Sequence, residues 1–483
     1  MKLLTPAALL ARLDQTMGLR ALDGERPLRQ QTLHDAIAWS YDLLPAGMQR
    51  SFRQIGVFSG GSDLEAIAAV VVSDRDPLDV VADLVDVSLA TIEDGPDGEP
   101  RVALLQTVAD FARDRLAEAG ELDDIRRRHT DHYVALAEDQ VAQLSGPRRL
   151  SARDRLVTDY DNVIAALTWA LERVAEGRPD PDEADLAMRI AGALWPFWDA
   201  TGRFREGQEW LTAALSQEGD HAPLVQAEAL SGLGTFAWRQ GEFATATELH
   251  AEALALQERA GDDAGAAFSL NNLGAQALGR DDYELAEAYF ERASSRTVDL
   301  RVRAYVLVNS GEVAKHRREH DRAVQMLREA MDLAARLADE WLLAGAVVNL
   351  GLVAVLTGDL PLAAESLGDG LRLASRLRDR CEVALSLDGL AQLALAIGRP
   401  RLAAPALGAA GGLRDAIGAV QSTQDAPDRN AALAAARAAL GEQAFASLYE
   451  EGGGRSLDEA VELGERVLAE CSAEIGEATS PRP

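Results

Sequence analysis

The chain runs to 483 residues, 47% hydrophobic and 26% charged, the composition of a folded globular protein with room for two or three domains. Its 78 acidic side chains against 48 Lys and Arg leave a formal charge of -30. Such a surface excludes non-specific binding to nucleic acid or an anionic bilayer, because both need cationic side chains. In chain order, MKLLTPAALLARLD reads as a helix capped by Thr5 with Pro6 in its first turn, rather than as a signal peptide. Thr32, with Asp35 three positions on, caps LHDAIAWSYDLL, whose buried stripe is Leu33, Ile37, Tyr41 and Leu44. Pro45 opens a second helix ending near Phe58. SGGS breaks it, and Ser62 with Glu65 forms a capping box for the next. Asp76-Pro77 starts DPLDVVADLVDVSL, with Leu78, Val81, Leu84 or Val85, and Leu89 toward the core. SLATIE and RVALL flank the turn-forming DGPDGEP, a hairpin signal, and a helix follows from about Thr107 to Ala119. Three helices, a hairpin and a helix make a winged-helix order for residues 31–120.

In such a domain the third helix is the one that enters a DNA groove. Here Asp76, Asp79, Asp83 and Asp86 are spaced 3, 4 and 3, on one face of that helix. Residues 31–120 hold six Arg, no Lys and sixteen carboxylates. A specific DNA binder neutralises on the order of 6 to 10 phosphates with basic side chains. This domain is therefore not expected to read DNA. The acidic stripe is either a solvated face or a docking face for an Arg-rich partner. Its residues are strung too far along the helix to converge on a metal.

Residues 121–182 read as a helical connector that ends in the polar break EGRPDPDEAD. Beyond it the chain repeats. Gly234, Gly274, Gly311 and Gly351 occupy one equivalent position, and Ala246, Ala286, Ala323 and Ala363 another, twelve residues later. A degenerate unit with Gly207 at the alanine position precedes them, and one with Ala391 and Ala403 follows. Small residues mark a close helix crossing, and a larger side chain such as Phe290 or Leu327 packs one turn on. A lone hairpin cannot bury its apolar face, so neighbours must stack. The pattern resembles the tetratricopeptide repeat (TPR), with Leu-Gly in the first helix and Ala in the second. The spacing of 37 to 40 residues exceeds the usual ~34. About six units are expected over 183–410, then a helical cap over 411–470 and a disordered tail over 471–483. The fold class is thus mainly α: a winged-helix domain, then a TPR-like α-solenoid with a helical C-terminal cap.

RQQTLHDAIAWSYDLL, FRQIGVFSGG, LVDVSL and RVALLQTVADFARDRLAEAGE together resemble the STAND class of signal-transduction ATPases, in particular the large bacterial ATP-binding transcription regulators. In that family an NB-ARC nucleotide module precedes a winged helix and a TPR sensor. The resemblance implies that the winged helix is a lid and regulatory joint, and that residues 1–30 are the last helices of the nucleotide module. Lys2 and Lys315 are the only lysines and neither follows a glycine, so no standard P-loop is present in these residues. An output DNA-binding domain is not expected after the cap within these residues. The chain therefore reads as a fragment of such a regulator: the start is placed late, the protein is a remnant, or the nucleotide module lies on another chain. ATP or ADP is expected only with a separate or upstream NTPase module, and neither ATPase activity nor DNA binding carries over.

Asn272, Asn309 and Asn349 recur just before the Leu-Gly or Ser-Gly pair. They either face a concave groove and bond a peptide backbone or bond between helices. Glu312 and Lys315 lie nearby on the same helix and complete the candidate partner site. His129 and His132 lack a third metal ligand and read as packing or surface histidines. Trp195, Phe197, Trp198, Phe204 and Trp210 form the core of the leading repeat or a ligand pocket. No catalytic constellation, cofactor site or metal site is expected. Two cysteines, Cys381 and Cys471, give neither a disulfide framework nor a four-ligand zinc site and point to a reducing cytosol. No apolar run is read as a membrane span. The expected function is a non-enzymatic sensor scaffold binding a protein, peptide or inducer, with an NTPase module as a further partner. The alternative is a free-standing TPR adaptor with a relic winged helix.

Overall fold

Proline and aspartate punctuate the chain where helices begin. The structure, a computed structural model, describes residues 28–95, 98, 100–175, 185–217, 221–420 and 426–479. The Thr5 cap, most of the 1–30 segment, the polar break at 176–184 and the last four residues lie outside these. The chain divides into two units, residues 1–139 with 154–178, and residues 140–153 with 179–483. The connector expected as a separate 121–182 segment is thus shared between them.

The first unit opens with α1 (Leu28–Asp42), α2 (Ala46–Ile55), α3 (Leu64–Val70) and α4 (Pro77–Asp86). The hairpin β1 (Thr91–Asp94) and β2 (Pro100–Ala103) follows, then α5 (Gln106–Glu118). The strands pair antiparallel with Ile92 opposite Val102. Thr32, read as a cap, lies inside α1, which is already helical at Leu28. The cap of α3 is Asp63, whose carboxylate accepts from the Ala66 N–H at 2.7 Å. Ser62 instead pairs its backbone with Val102, because Gly61 at φ +81° turns the chain onto the hairpin. On α4 the core side is Val80, Val81 and Leu84, while Leu78 is 58% exposed. Val80, one turn before Leu84 on the same face, is turned inward in its place. The four aspartates are exposed, with Asp83 ion-paired to Arg75 at 2.7 Å.

This core centres on Phe52 and Phe111, with Tyr41 5.6 Å from each ring centroid. Gly56 is obligatory there, since a β-carbon would stand 2.6 Å from that of Ala112. Helices α6 (Leu122–Ala142), α7 (Arg149–Thr158) and α8 (Tyr160–Ala175) continue the chain. Buried Asp159 holds Arg101 at 2.8 Å and Arg155 at 2.6 Å, and Arg155 also pairs with Asp63. Burial alone would raise the Asp63 carboxyl. The Ala66 N–H and the Arg155 and Arg101 guanidiniums outweigh it and hold that carboxyl below its usual range.

The second unit is a run of six helical hairpins. They are α9 and α10 (Leu186–Thr201, Phe204–Leu215), α11 and α12 (Pro223–Arg239, Phe243–Ala260), and α13 and α14 (Asp263–Leu278, Tyr283–Arg296). Then come α15 and α16 (Leu300–His316, His320–Leu337), α17 and α18 (Glu340–Thr357, Leu360–Leu377), and α19 and α20 (Arg380–Ala396, Pro400–Asp415). The small-residue columns work as expected. A β-carbon on Gly274 would lie 2.4 Å from Phe290, on Gly311 3.1 Å from Leu327, and on Gly351 2.7 Å from Leu367. The column alanines are fully buried. Asp262, Asp339, Asp359 and Asp379 each cap a helix, directly after a left-handed Gly261, Ala338, Gly358 or Arg378 that ends the one before. α17 is long and apolar enough by composition to cross a bilayer, contrary to the sequence reading. In the solenoid 61% of it is buried, because both neighbouring hairpins pack on it.

The cap consists of α21 (Ala426–Leu440), α22 (Glu442–Gly453) and α23 (Leu457–Thr479). The tail expected to be disordered from 471 is a correction: α23 continues to Thr479 because Cys471 and Ile475 are buried in the cap core. Two buried guanidiniums, Arg414 and Arg429, converge on Asp388 and tie the cap to the sixth hairpin. Residues 416–420 reach back to the first hairpins. The Val420 N–H donates to the Arg239 carbonyl at 2.9 Å, and a β-carbon on Gly202 would lie 2.8 Å from Ile417.

Candidate functional site

The helical period places every fourth residue of a first helix on one face. Three such triplets, Phe268/Asn272/Gln276, Arg301/Tyr305/Asn309 and Trp341/Gly345/Asn349, line a cavity of about 450 Å³ in the second unit. Trp195 and Asp199 extend the wall from α9, Trp238 and Arg239 from α11, and Glu382 and Leu385 from α19. All six hairpins thus contribute their first helix. His250 comes from a second helix, and Leu144, Ser145 and Arg149 come from the segment 140–153 of the same unit.

Five aromatic side chains, Trp195, Trp238, Phe268, Tyr305 and Trp341, stand among the lining residues. Trp195 lies 6.0 Å from Phe268, and Tyr305 meets Trp341 edge-on at 5.8 Å. The Trp195 indole N–H donates to Glu228 at 2.8 Å, and burial raises the Glu228 carboxyl. Two of the cations are neutralised in place. Arg239 grips Asp199 through two bonds of 3.0 and 3.2 Å, and Arg301 pairs with Asp339 at 3.1 Å. The guanidinium of Arg149 lies over the Trp341 ring at 5.8 Å and donates to the Leu144 carbonyl at 2.9 Å. Burial lifts the Tyr305 hydroxyl above its ordinary value, aided by Asp339, so it stays a neutral donor. Burial also lowers the His250 imidazole to about 4. Three buried polar atoms of the lining have no hydrogen-bond partner among the described residues: Trp238 Nε1, His250 Nδ1 and Asn349 Oδ1.

Asn272, Asn309 and Asn349 therefore all reach the cavity. The rival role is also realised in part, since Asn309 Nδ2 donates to Asn271 Oδ1 at 3.0 Å across the repeat boundary. Glu312 and Lys315 are placed differently. Each is 3% exposed, and the ammonium lies 2.8 Å from Glu312 and 3.1 Å from Asp428 of the chain's own cap. The aromatic cluster of the first hairpin splits. Phe197, Trp198 and Phe204 are core, while Trp195 faces the cavity. The residues four and eight positions before Asn309 and Asn349, and those four before and four after Asn272, were missed; the fourfold spacing from the asparagine column was the signal for them.

In the first unit His129 is 3% exposed, and burial lowers it to about 4. Its Nε2 lies 3.2 Å from Asn162 Oδ1, an acceptor, so that nitrogen carries the proton. No cluster of three metal-ligating side chains occurs among the described residues.

Residues 225–296 match the tetratricopeptide repeat family. Over 290 residues the chain is 34% identical to a protein of Mycobacterium tuberculosis named as a candidate HTH-type transcriptional regulator, and to its Mycobacterium bovis counterpart. That match covers 56% of this chain but only 31% of each relative, so the chain spans under a third of their length. Among solved structures, it is similar to a STAND protein with a tetratricopeptide repeat sensor from Pyrococcus horikoshii. The identity is 14%, over 94% of this chain and 67% of that one, with a TM-score of 0.44. A Rap protein complexed with Competence and Sporulation Factor is 14% identical over 72% of this chain and 99% of that one, with a TM-score of 0.45.

Proposed function

We propose that this chain is a non-enzymatic sensor scaffold of a STAND-type bacterial regulator, acting in the cytoplasm. The cavity of the second unit is its ligand site, and a protein, peptide or inducer is the class of ligand. The reading is carried by one observation: every first helix of the solenoid turns side chains into one space, with five aromatic side chains in its lining, where Asn349 Oδ1 has no partner among the described residues. A buried polar group without a partner costs about 1–3 kcal/mol, which a ligand recovers. The first unit serves as a winged helix that docks on an NTPase module instead of DNA. Its helix order, its hairpin and the exposed aspartates of α4 support that reading. The test is capture of partners by the full chain, set against Asn309→Ala and Asn349→Leu variants. Partners retained equally by both variants would remove the cavity from the function, and ATP turnover above background by the purified chain would remove the non-enzymatic reading.

A further inference from the structure

The lining of the cavity also specifies a ligand chemistry, and this step rests on the reading of that cavity as the ligand site. We infer that it takes a compact organic anion with a flat apolar body, of the aromatic monocarboxylate class, rather than a length of extended peptide.

Three observations point there. The first is size. A space of about 450 Å³ falls within the range of small-molecule sites, and the segment bearing Leu144 and Arg149 forms one of its walls. An extended peptide needs an open trough along the repeats, and here Leu144, Ser145 and Arg149 stand among the residues lining that space. The second is shape and polarisability. Trp195, Trp238, Phe268, Tyr305 and Trp341 offer ring faces and edges to a planar guest, where offset or edge contacts are favourable.

The third is charge. Arg239 and Arg301 spend their charge on Asp199 and Asp339, whereas Arg149 contacts only a ring and a carbonyl in its described interactions. A guanidinium on an aromatic face keeps its fork of donors for a carboxylate. Trp238 Nε1 is a donor, Asn349 Oδ1 an acceptor, and His250 is neutral, so each can meet a different edge of the guest. Of the carboxylates in the lining, Asp199 is paired with Arg239 and Asp299 accepts from the Arg301 and Val302 backbone N–H groups, so Glu382 is the one a guest anion must stand away from; charges beyond ~8 Å are screened at physiological salt.

The experiment is calorimetric titration of the full chain with indole-3-acetate, with its neutral amide indole-3-acetamide, and with a library of capped peptides. Arg149→Gln and Asn349→Leu variants are run beside it, each checked for an unchanged far-UV spectrum. The expected result is that the acid binds about tenfold more tightly than the amide, and that this preference disappears in Arg149→Gln. The comparison of acid with amide on the unaltered chain holds even if a variant folds poorly. Equal binding of acid and amide overturns the inference. So does peptide binding that is lost in Asn349→Leu while indole-3-acetate fails to bind; that outcome leaves the cavity as a ligand site. Binding of none of the three probes overturns the inference, while the reading of the cavity as a ligand site stands or falls on partner capture by the Asn309→Ala and Asn349→Leu variants.

Discussion

Asp388→Asn removes the charge that two buried guanidiniums share. Asp388 is 3% exposed, with Arg414 at 9% and Arg429 at 7%. Removing one member of a buried ion pair costs about 3–5 kcal/mol, because the remaining charge stays desolvated. Here the arginines keep some company. Arg429 still donates to the Leu407 carbonyl at 2.9 Å and lies 3.3 Å from the Tyr449 hydroxyl. The lower end, about 3 kcal/mol, is therefore expected. In a solenoid, stability is close to a sum of units and interfaces, so the loss should fall on the sixth hairpin and the cap. Hydrogen exchange read by mass spectrometry should show residues 426–479 losing roughly two orders of magnitude of protection, while 225–296 stays unchanged. A triple variant, Asp388→Leu with Arg414→Met and Arg429→Met, should recover most of the loss, since apolar isosteres of a buried ion cluster are near neutral. Unaltered cap protection in Asp388→Asn, or no recovery in the triple variant, would refute the argument that buried charge holds the cap on.

Other outcomes follow from the same physics. Gly274→Leu should destabilise the third hairpin by more than the ~1–3 kcal/mol typical of overpacking, because even a β-carbon sits 2.4 Å from Phe290; a urea midpoint equal to that of the parent counts against the close crossing. His129 and His250 are both lowered to about 4, against ~6.5 when unfolded, so the native state binds fewer protons between those values. The stability they contribute is complete above pH ~6.5 and is lost as pH falls toward ~4, by roughly 3 kcal/mol each at most. Urea midpoints measured from neutral pH down to pH ~4.5 should fall, and His129→Gln with His250→Gln should flatten that slope. Ala338→Gly should stabilise by about 1 kcal/mol, since Ala338 sits at φ 49°, and a lower melting temperature would contradict it. Burial pushes the Cys381 thiol up to about 12 and the Cys471 thiol to about 11, so alkylation at mildly alkaline pH should require denaturant.

By itself the sequence determined what depends on nearest neighbours. The glycine and alanine columns announce close helix crossings because only small side chains admit them, and Phe290 and Leu327 fill the space as their spacing implies. The left-handed residue followed by a capping aspartate marks where one helix stops and the next starts. The asparagine column pointed to the cavity because residues four apart share a helix face. Tertiary structure decided whatever joins distant segments. Lys315 looked like a groove residue, and only the return of α21 turned it onto Asp428. Arg149 carried no local signal, since its place over Trp341 depends on how the segment 140–153 lies against the solenoid. Nor could composition show that the last helix would run past Cys471, because what keeps it helical is burial against hairpins nearly a hundred residues earlier. Helix period and steric fit are written into short stretches of chain, whereas ion pairing and desolvation depend on which surfaces meet.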